Sequence, residues 1–320
     1  MTIRTPDDLT RRTVLGQTAL AALGATGWPV AVARKLLRPG APGSTGDRLI
    51  VVFARGGYDG LNMIVPYVEG ANYYDRRKNI AIPAPDSAAA RRCADLDGFF
   101  GMHPTLVDAG WKQCYDEGIL AIVHAAHMDD PTRSHFDAMD FMERGAPGDA
   151  SVRTGWIGRH LATMATGNGS PFRGVGVGAL LQVSLRGPVG AVVLQSIADF
   201  RLQGRQSEVD RFQVHLERLH ATDGWFDRQG RTTFAAVDLL AREVGSGTYV
   251  PSNGATYPTS AFGQGMAQVA QLAKADVGLE IACVDIGGWD THSNETSATD
   301  PTTGNLANLM DDLARSISAL

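Results

Sequence analysis

Cysteine is scarce in this sequence of 320 residues: Cys93, Cys114 and Cys283 are the only three. With no CxxC pair and no Cys/His ribbon among them, a structural zinc finger is excluded, and three thiols make no complete disulfide set. A basic excess is lacking too. Lys and Arg number 29 against 34 Asp and Glu, a net charge of −5. That argues against a general nucleic-acid surface, so no nucleic acid is expected as a partner. Nor is there a run of about 20 apolar residues fit to span a bilayer. The uncharged stretch 13–33 is broken by Pro29, Gly16, Gly24 and Gly27. GxSxG, HExxH, the Walker loop and GxGxxG are all missing, which removes the serine-hydrolase elbow, the zincins and the common nucleotide cradles. What remains is an ordinary globular balance, 44% hydrophobic and 20% charged. Glycine stands out: 37 residues, about 12% against roughly 7% in average usage.

The N-terminus carries Arg11-Arg12 ahead of the weakly apolar stretch, which closes on Ala31-Val32-Ala33. Adjacent arginines, a modest apolar region and a small-x-small site form the pattern of a twin-arginine export signal. The expectation is a signal over 1–33 and a single mature domain over 34–320. The twin-arginine translocase and signal peptidase would be partners, the location periplasmic or extracellular, and no membrane span would remain after cleavage. An amphipathic helix or an uncleaved anchor is the plainer alternative. In an oxidising compartment Cys93 and Cys114 can pair and leave Cys283 free, or all three can stay unpaired.

Along the mature chain, apolar runs alternate with helical periodicity. Arg48–Ala54, Ile119–Ala125, Val189–Gln195 and Leu279–Ile286 read as strands. Pro104–Glu117, Thr154–Thr166, Glu208–Ala221, Thr232–Val244, Phe262–Ala275 and Asn305–Leu320 read as amphipathic helices. The glycine alternation Gly174–Gly178 reads as a bulge or turn. Alternation of this kind predicts a layered α/β fold, a central and mostly parallel sheet flanked by helices. The last helix stops on an apolar residue without a glycine cap, which suggests a domain that is C-terminally incomplete.

In such folds chemistry collects after the carboxyl ends of strands. Three segments are candidates. Asp59 in RGGYDGLN offers a carboxylate to a hard cation, or only an Asp-Gly turn. Ser134 precedes a helix, where a hydroxyl can act as N-cap or be activated as a nucleophile, and Arg133 beside it can hold a phosphate or sulfate. His135 reads as a polar neighbour. Asp290 and His292 are two apart, so they point the same way in extended backbone, and carboxylate with imidazole is a normal pair for zinc or manganese. Asp59 is a candidate third ligand.

The blocks LIVVFARGGYDGLN, DGFFGMHPTL, RSHFDAMDF and GGWDTHSN, with the twin-arginine start, resemble an exported bacterial family known as domain of unknown function 1501. That family is similar, more distantly, to the alkaline phosphatase and sulfatase superfamily. The resemblance implies an alkaline-phosphatase-like fold with a metal cluster at the strand ends. It implies Asp59 as a first-strand ligand, Ser134 as nucleophile, and Asp290 with His292 as a later ligand set, Asp285 competing. The divalent metal would be zinc, manganese, calcium or magnesium. The chain departs from the superfamily pattern in having no Asp-His dipeptide, no histidine after His292 and no sulfatase Cys/Ser-x-Pro-x-Arg signature. The leading expectation is a metal-dependent hydrolase of a small phosphate or sulfate ester. The alternative is a non-catalytic exported binding or envelope protein on the same scaffold.

Overall fold

The computed structural model describes residues 30–33, 47–163, 168–202, 204–222, 224–244 and 249–320. Most of the expected signal, including Arg11 and Arg12, lies outside the described residues. The strands are β1 (Val30–Ala33), β2 (Leu49–Ala54), β3 (Ile64–Val65), β4 (Ala94–Asp95), β5 (Gly101–Met102), β6 (Gly174–Val177), β7 (Val192–Leu194) and β8 (Ile281–Ile286). The helices are α1 (Gly60–Met63), α2 (Ala71–Tyr74), α3 (Pro104–Asp108), α4 (Trp111–Asp116), α5 (His135–Arg144), α6 (Trp156–Thr163), α7 (Gln206–Leu219), α8 (Trp225–Glu243), α9 (Ala261–Lys274) and α10 (Asn305–Ser318). The chain divides into two compact units. One comprises Gly56–Ala150 and Gly288–Ala314, the other Val30–Arg55, Ser151–Gly287 and Arg315–Leu320.

The second unit is the expected layered α/β structure. Its sheet has the order β1-β2-β8-β6-β7, with β2, β8, β6 and β7 parallel and β1 antiparallel to β2. Apolar runs such as IVVF and IACV suit strands buried on both faces, as parallel sheets require. Period-two alternation sorts the side chains of the sheet. Val51, Ile281 and Cys283 join Ile157 and Leu161 of α6 and Leu185 in one buried cluster. On the other face α9 packs close, since a Cβ on Gly265 would lie 3.2 Å from Val177 and from Val284. Ser260 caps α9 by accepting from the Gly263 amide at 2.9 Å.

Two expectations are corrected here. The Gly174–Gly178 alternation is no turn: Gly174–Val177 is a buried strand between β8 and β7. Its glycines have no room for a side chain, Gly174 against Leu161 of α6 and Gly176 against Gln182 and Leu185. A Cβ on Gly174 would stand 2.7 Å from Leu161 Cδ1. Conversely, Ile119–Ala125 forms no strand. The amides of Ile119 and Leu120 both donate to Cys114 O, closing the end of α4, and Ile119 and Val123 are exposed. With its first donors spent on a helix end, the run has no ladder to join.

In the first unit, β3, β5 and β4 form a small antiparallel sheet. Val65, Tyr73, Ile82 and Cys93 form a buried cluster there. The expected single helix over 104–117 is two, α3 and α4, because Gly110 takes a φ of +87° between them. The three cysteines are free, so the expected alternative of a Cys93–Cys114 bridge is not found. Burial pushes the Cys93 thiol up to about 11.

Candidate metal centre

β2 and β8 end in register, Ala54 opposite Ile286, and are followed in the chain by the segments RGGYD and GGWDTH. The first segment turns at Gly56, whose φ of +118° favours glycine. A Cβ on Gly56 would stand 2.7 Å from the amide nitrogen of Asp290. Backbone therefore approaches backbone at this point. Gly57 then forms a floor, since its Cβ would lie 3.0 Å from His135 Cε1 and 3.4 Å from Asp290 Oδ1.

A third segment delivers His135. Thr132 N donates to Asp130 Oδ1 at 2.8 Å, Ser134 N donates to Thr132 Oγ1, and Ser134 Oγ accepts from Asp137 N at 3.3 Å. These turns and the cap begin α5 with His135 as its first residue. Asp290 Oδ1 lies 3.1 Å from His135 Nε2 and 2.9 Å from His292 Nε2. One ligand atom from each of the three residues falls within 4.8 Å of the others, so the group could hold a metal ion. Two imidazole nitrogens and a carboxylate oxygen suit zinc, manganese or iron. Calcium and magnesium take oxygen ligands and fit this donor set less well. The side chains of His135 and Asp290 are about two-fifths exposed and that of His292 is 80% exposed, which leaves the group open on one side. Catalytic metal sites keep such an open position.

The other predicted residues are placed differently. Asp59 caps Leu61 N at 3.2 Å and forms an ion pair with Arg77, so the third ligand-type group beside Asp290 and His292 is His135 rather than Asp59. Asp285 pairs with Arg55 at 2.8 Å in the sheet-bearing unit. Ser134 is the N-cap described above, and Arg133 is exposed.

Beside the ligand loop lies a polar network. Fully buried Asn62 donates to Ile80 O at 2.8 Å and to Glu295 Oε1 at 3.2 Å. Its own Oδ1 accepts from Tyr73 Oη at 2.7 Å and from Arg77 Nε at 3.3 Å. Burial, with the adjoining Asp59 carboxylate, pushes Glu295 up to about 7. Two close carboxyls cannot both ionise cheaply away from water. Burial and the same Asp59 also push the Tyr58 hydroxyl well above its ordinary value, and the Tyr58 ring packs on buried Trp289 with centroids 5.1 Å apart. A cleft of about 490 Å³ adjoins the ligands, with Asp290 and Thr291 on one side and Asn305, Asn308 and Asp312 of α10 on the other.

His135, read from the sequence as a polar neighbour, follows His124, His127, Asp129 and Asp130, a grouping of titratable residues that was a usable signal. Gly57 was visible as a turn residue but not as a floor. Glu295 and Asn62 gave no signal, because their roles depend on long-range partners. No protein-family model matches the chain, and no curated protein and no solved structure matches it either.

Proposed function

We propose that the chain is an exported, metal-dependent hydrolase of phosphate or sulfate esters. The observation that carries this reading is the convergence of His135, Asp290 and His292 beside the hydroxyl-bearing start of α5. A divalent ion held by the three would neutralise ester oxygens and favour an ionised nucleophile. Ser134 precedes the ligand His135 directly, at a helix N-terminus where negative charge is favoured. The exposed Arg133 guanidinium is available to the outer oxygens of the ester group. The cleft beside Asp290 offers room for the alcohol portion of a small substrate. Likeness to the alkaline phosphatase and sulfatase superfamily supports the reading through Ser134, Asp290 and His292. The twin-arginine start supports export through the twin-arginine translocase with cleavage after Ala33. No helix among the described residues is long and apolar enough to cross a membrane.

The test is turnover of 4-nitrophenyl phosphate and 4-nitrophenyl sulfate by the protein loaded with zinc or manganese. Metal-dependent hydrolysis that disappears in Ser134→Ala, with the metal still bound, supports the proposal. A protein that binds no metal overturns it. Binding without turnover selects the second reading, a non-catalytic exported binding protein. A specific observation favours that reading: Ser134 is engaged as a cap and Asp59 in an ion pair, both ordinary structural roles.

A further inference from the structure

We propose that Thr291 and Glu295 are positioning residues, fixing the loop that carries Asp290 and His292 so that it can take a metal. The inference rests on the metal-centre reading and adds how that centre is held in shape. Thr291 lies between the two ligands in sequence. Its hydroxyl donates to Glu295 Oε2 at 3.4 Å, and its amide donates to Trp289 O at 3.0 Å. Glu295 is in turn anchored, because Asn62 Nδ2 donates to its other oxygen at 3.2 Å. Asn62 is fully buried and bonded to Tyr73 and Ile80, and Tyr73 Oη accepts from the Ile82 amide at 3.0 Å. An unbroken chain of hydrogen bonds therefore runs from the Ile80–Ile82 backbone to the residue between the ligands.

The amide of Thr291, donating back to Trp289 O, closes a tight turn at Asp290. Asp290 Oδ1 and His292 Nε2 meet at 2.9 Å across that turn, and the Thr291 hydroxyl between them in sequence reaches Glu295. Fixing the Thr291 side chain removes rotation of the segment that would part the two ligands. Groups of this kind, which touch no metal but orient those that do, commonly set affinity. Glu295 is three residues beyond His292, so the tie also closes a short loop around that ligand. The backbone end of the loop is held as well, since Leu306 N donates to Glu295 O at 2.9 Å.

The experiment is calorimetric titration of the full chain with zinc at fixed pH, alongside thermal unfolding of each apo-protein. Thr291→Val should weaken zinc binding by about 10–100-fold, the usual range for loss of an outer partner, with little change in Tm. Thr291→Ser, which keeps the hydroxyl, should restore binding. Glu295→Gln keeps groups able to bond Asn62 and Thr291 and should stay near the wild type, whereas Glu295→Ala should behave like Thr291→Val. Wild-type affinity in both Thr291→Val and Glu295→Ala would overturn the positioning role and leave the metal centre standing. An equal loss in Thr291→Ser and Thr291→Val would also overturn it. A wild-type protein that takes no zinc would instead overturn the metal centre itself.

Discussion

Gly57→Ala is a small perturbation with a large expected effect on metal binding. The added methyl would lie 3.0 Å from His135 Cε1 and 3.2 Å from its Nε2. Carbon atoms settle at about 3.5–4.0 Å, so the imidazole must retreat by roughly half an ångström. It can do so, because its side chain is about two-fifths exposed. Folding is therefore expected to change little, and the φ of Gly57 lies outside the region that alanine avoids. The centre is less forgiving. Metal–ligand distances hold to about ±0.2 Å, less than the displacement. The methyl also stands 3.4 Å from Asp290 Oδ1, so it packs against two of the three ligands. We expect zinc affinity to fall at least about tenfold, equivalent to roughly 1.4 kcal/mol. Calorimetric titration reads the affinity, and thermal unfolding of the apo-protein reads the fold. Unchanged affinity in a folded Gly57→Ala protein would refute the claim that Gly57 floors the site.

Three further outcomes test the framework around the site. Buried His103 is held well below its ordinary value of 6.5, to about 4, first by burial and then by the Arg91 charge. The unfolded chain therefore binds this proton before the folded one does. Stability should fall as pH drops from 6.5 to 4, by up to about 3 kcal/mol. His103→Asn replaces the Nδ1 that accepts from Thr105 N with a capping oxygen and should flatten that part of the urea-unfolding profile, and an unchanged slope would contradict the assignment. Gly158 on α6 faces the Arg186 carbonyl so closely that an added Cβ would also reach 2.9 Å from Gly187 N. Gly158→Ala should lower stability by about 1–3 kcal/mol, and a Tm equal to wild type would refute this contact. Under native conditions a thiol reagent should label half-buried Cys114 first, with buried Cys93 and Cys283 slow. Mass spectrometry of the labelled peptides reads the order, and fast labelling of Cys93 would contradict the burial described.

The sheet was legible where burial leaves a simple pattern. LIVVFA and IACVDI are apolar on both faces and became adjoining parallel strands, because only a two-sided interior suits such runs. GVGV misled because the crowding at its glycines comes from Leu161, Gln182 and Leu185, whose packing against the strand no local pattern announces. ILAIV misled for the opposite reason, its local apolarity being overridden by a helix end that captured the first two amides. At the site, Asp290 and His292 do meet, as their two-residue spacing suggested, but across a tight turn at Asp290 rather than along extended backbone. The identity of the third group was not local. Asp59, the residue expected there, is paired with Arg77, and His135 stands beside Asp290. Nothing in the order of residues announces that arginine's partner.

Whether His135, Asp290 and His292 form a metal centre is decided by zinc stoichiometry from equilibrium dialysis, compared between wild type and Asp290→Ala. Asp290 Oδ1 lies within about 3 Å of both imidazoles, so its loss should dismantle the whole group. One ion per wild-type chain is expected, and none held tightly by the folded variant. No zinc on the wild type, or equal zinc on both, would contradict the metal centre.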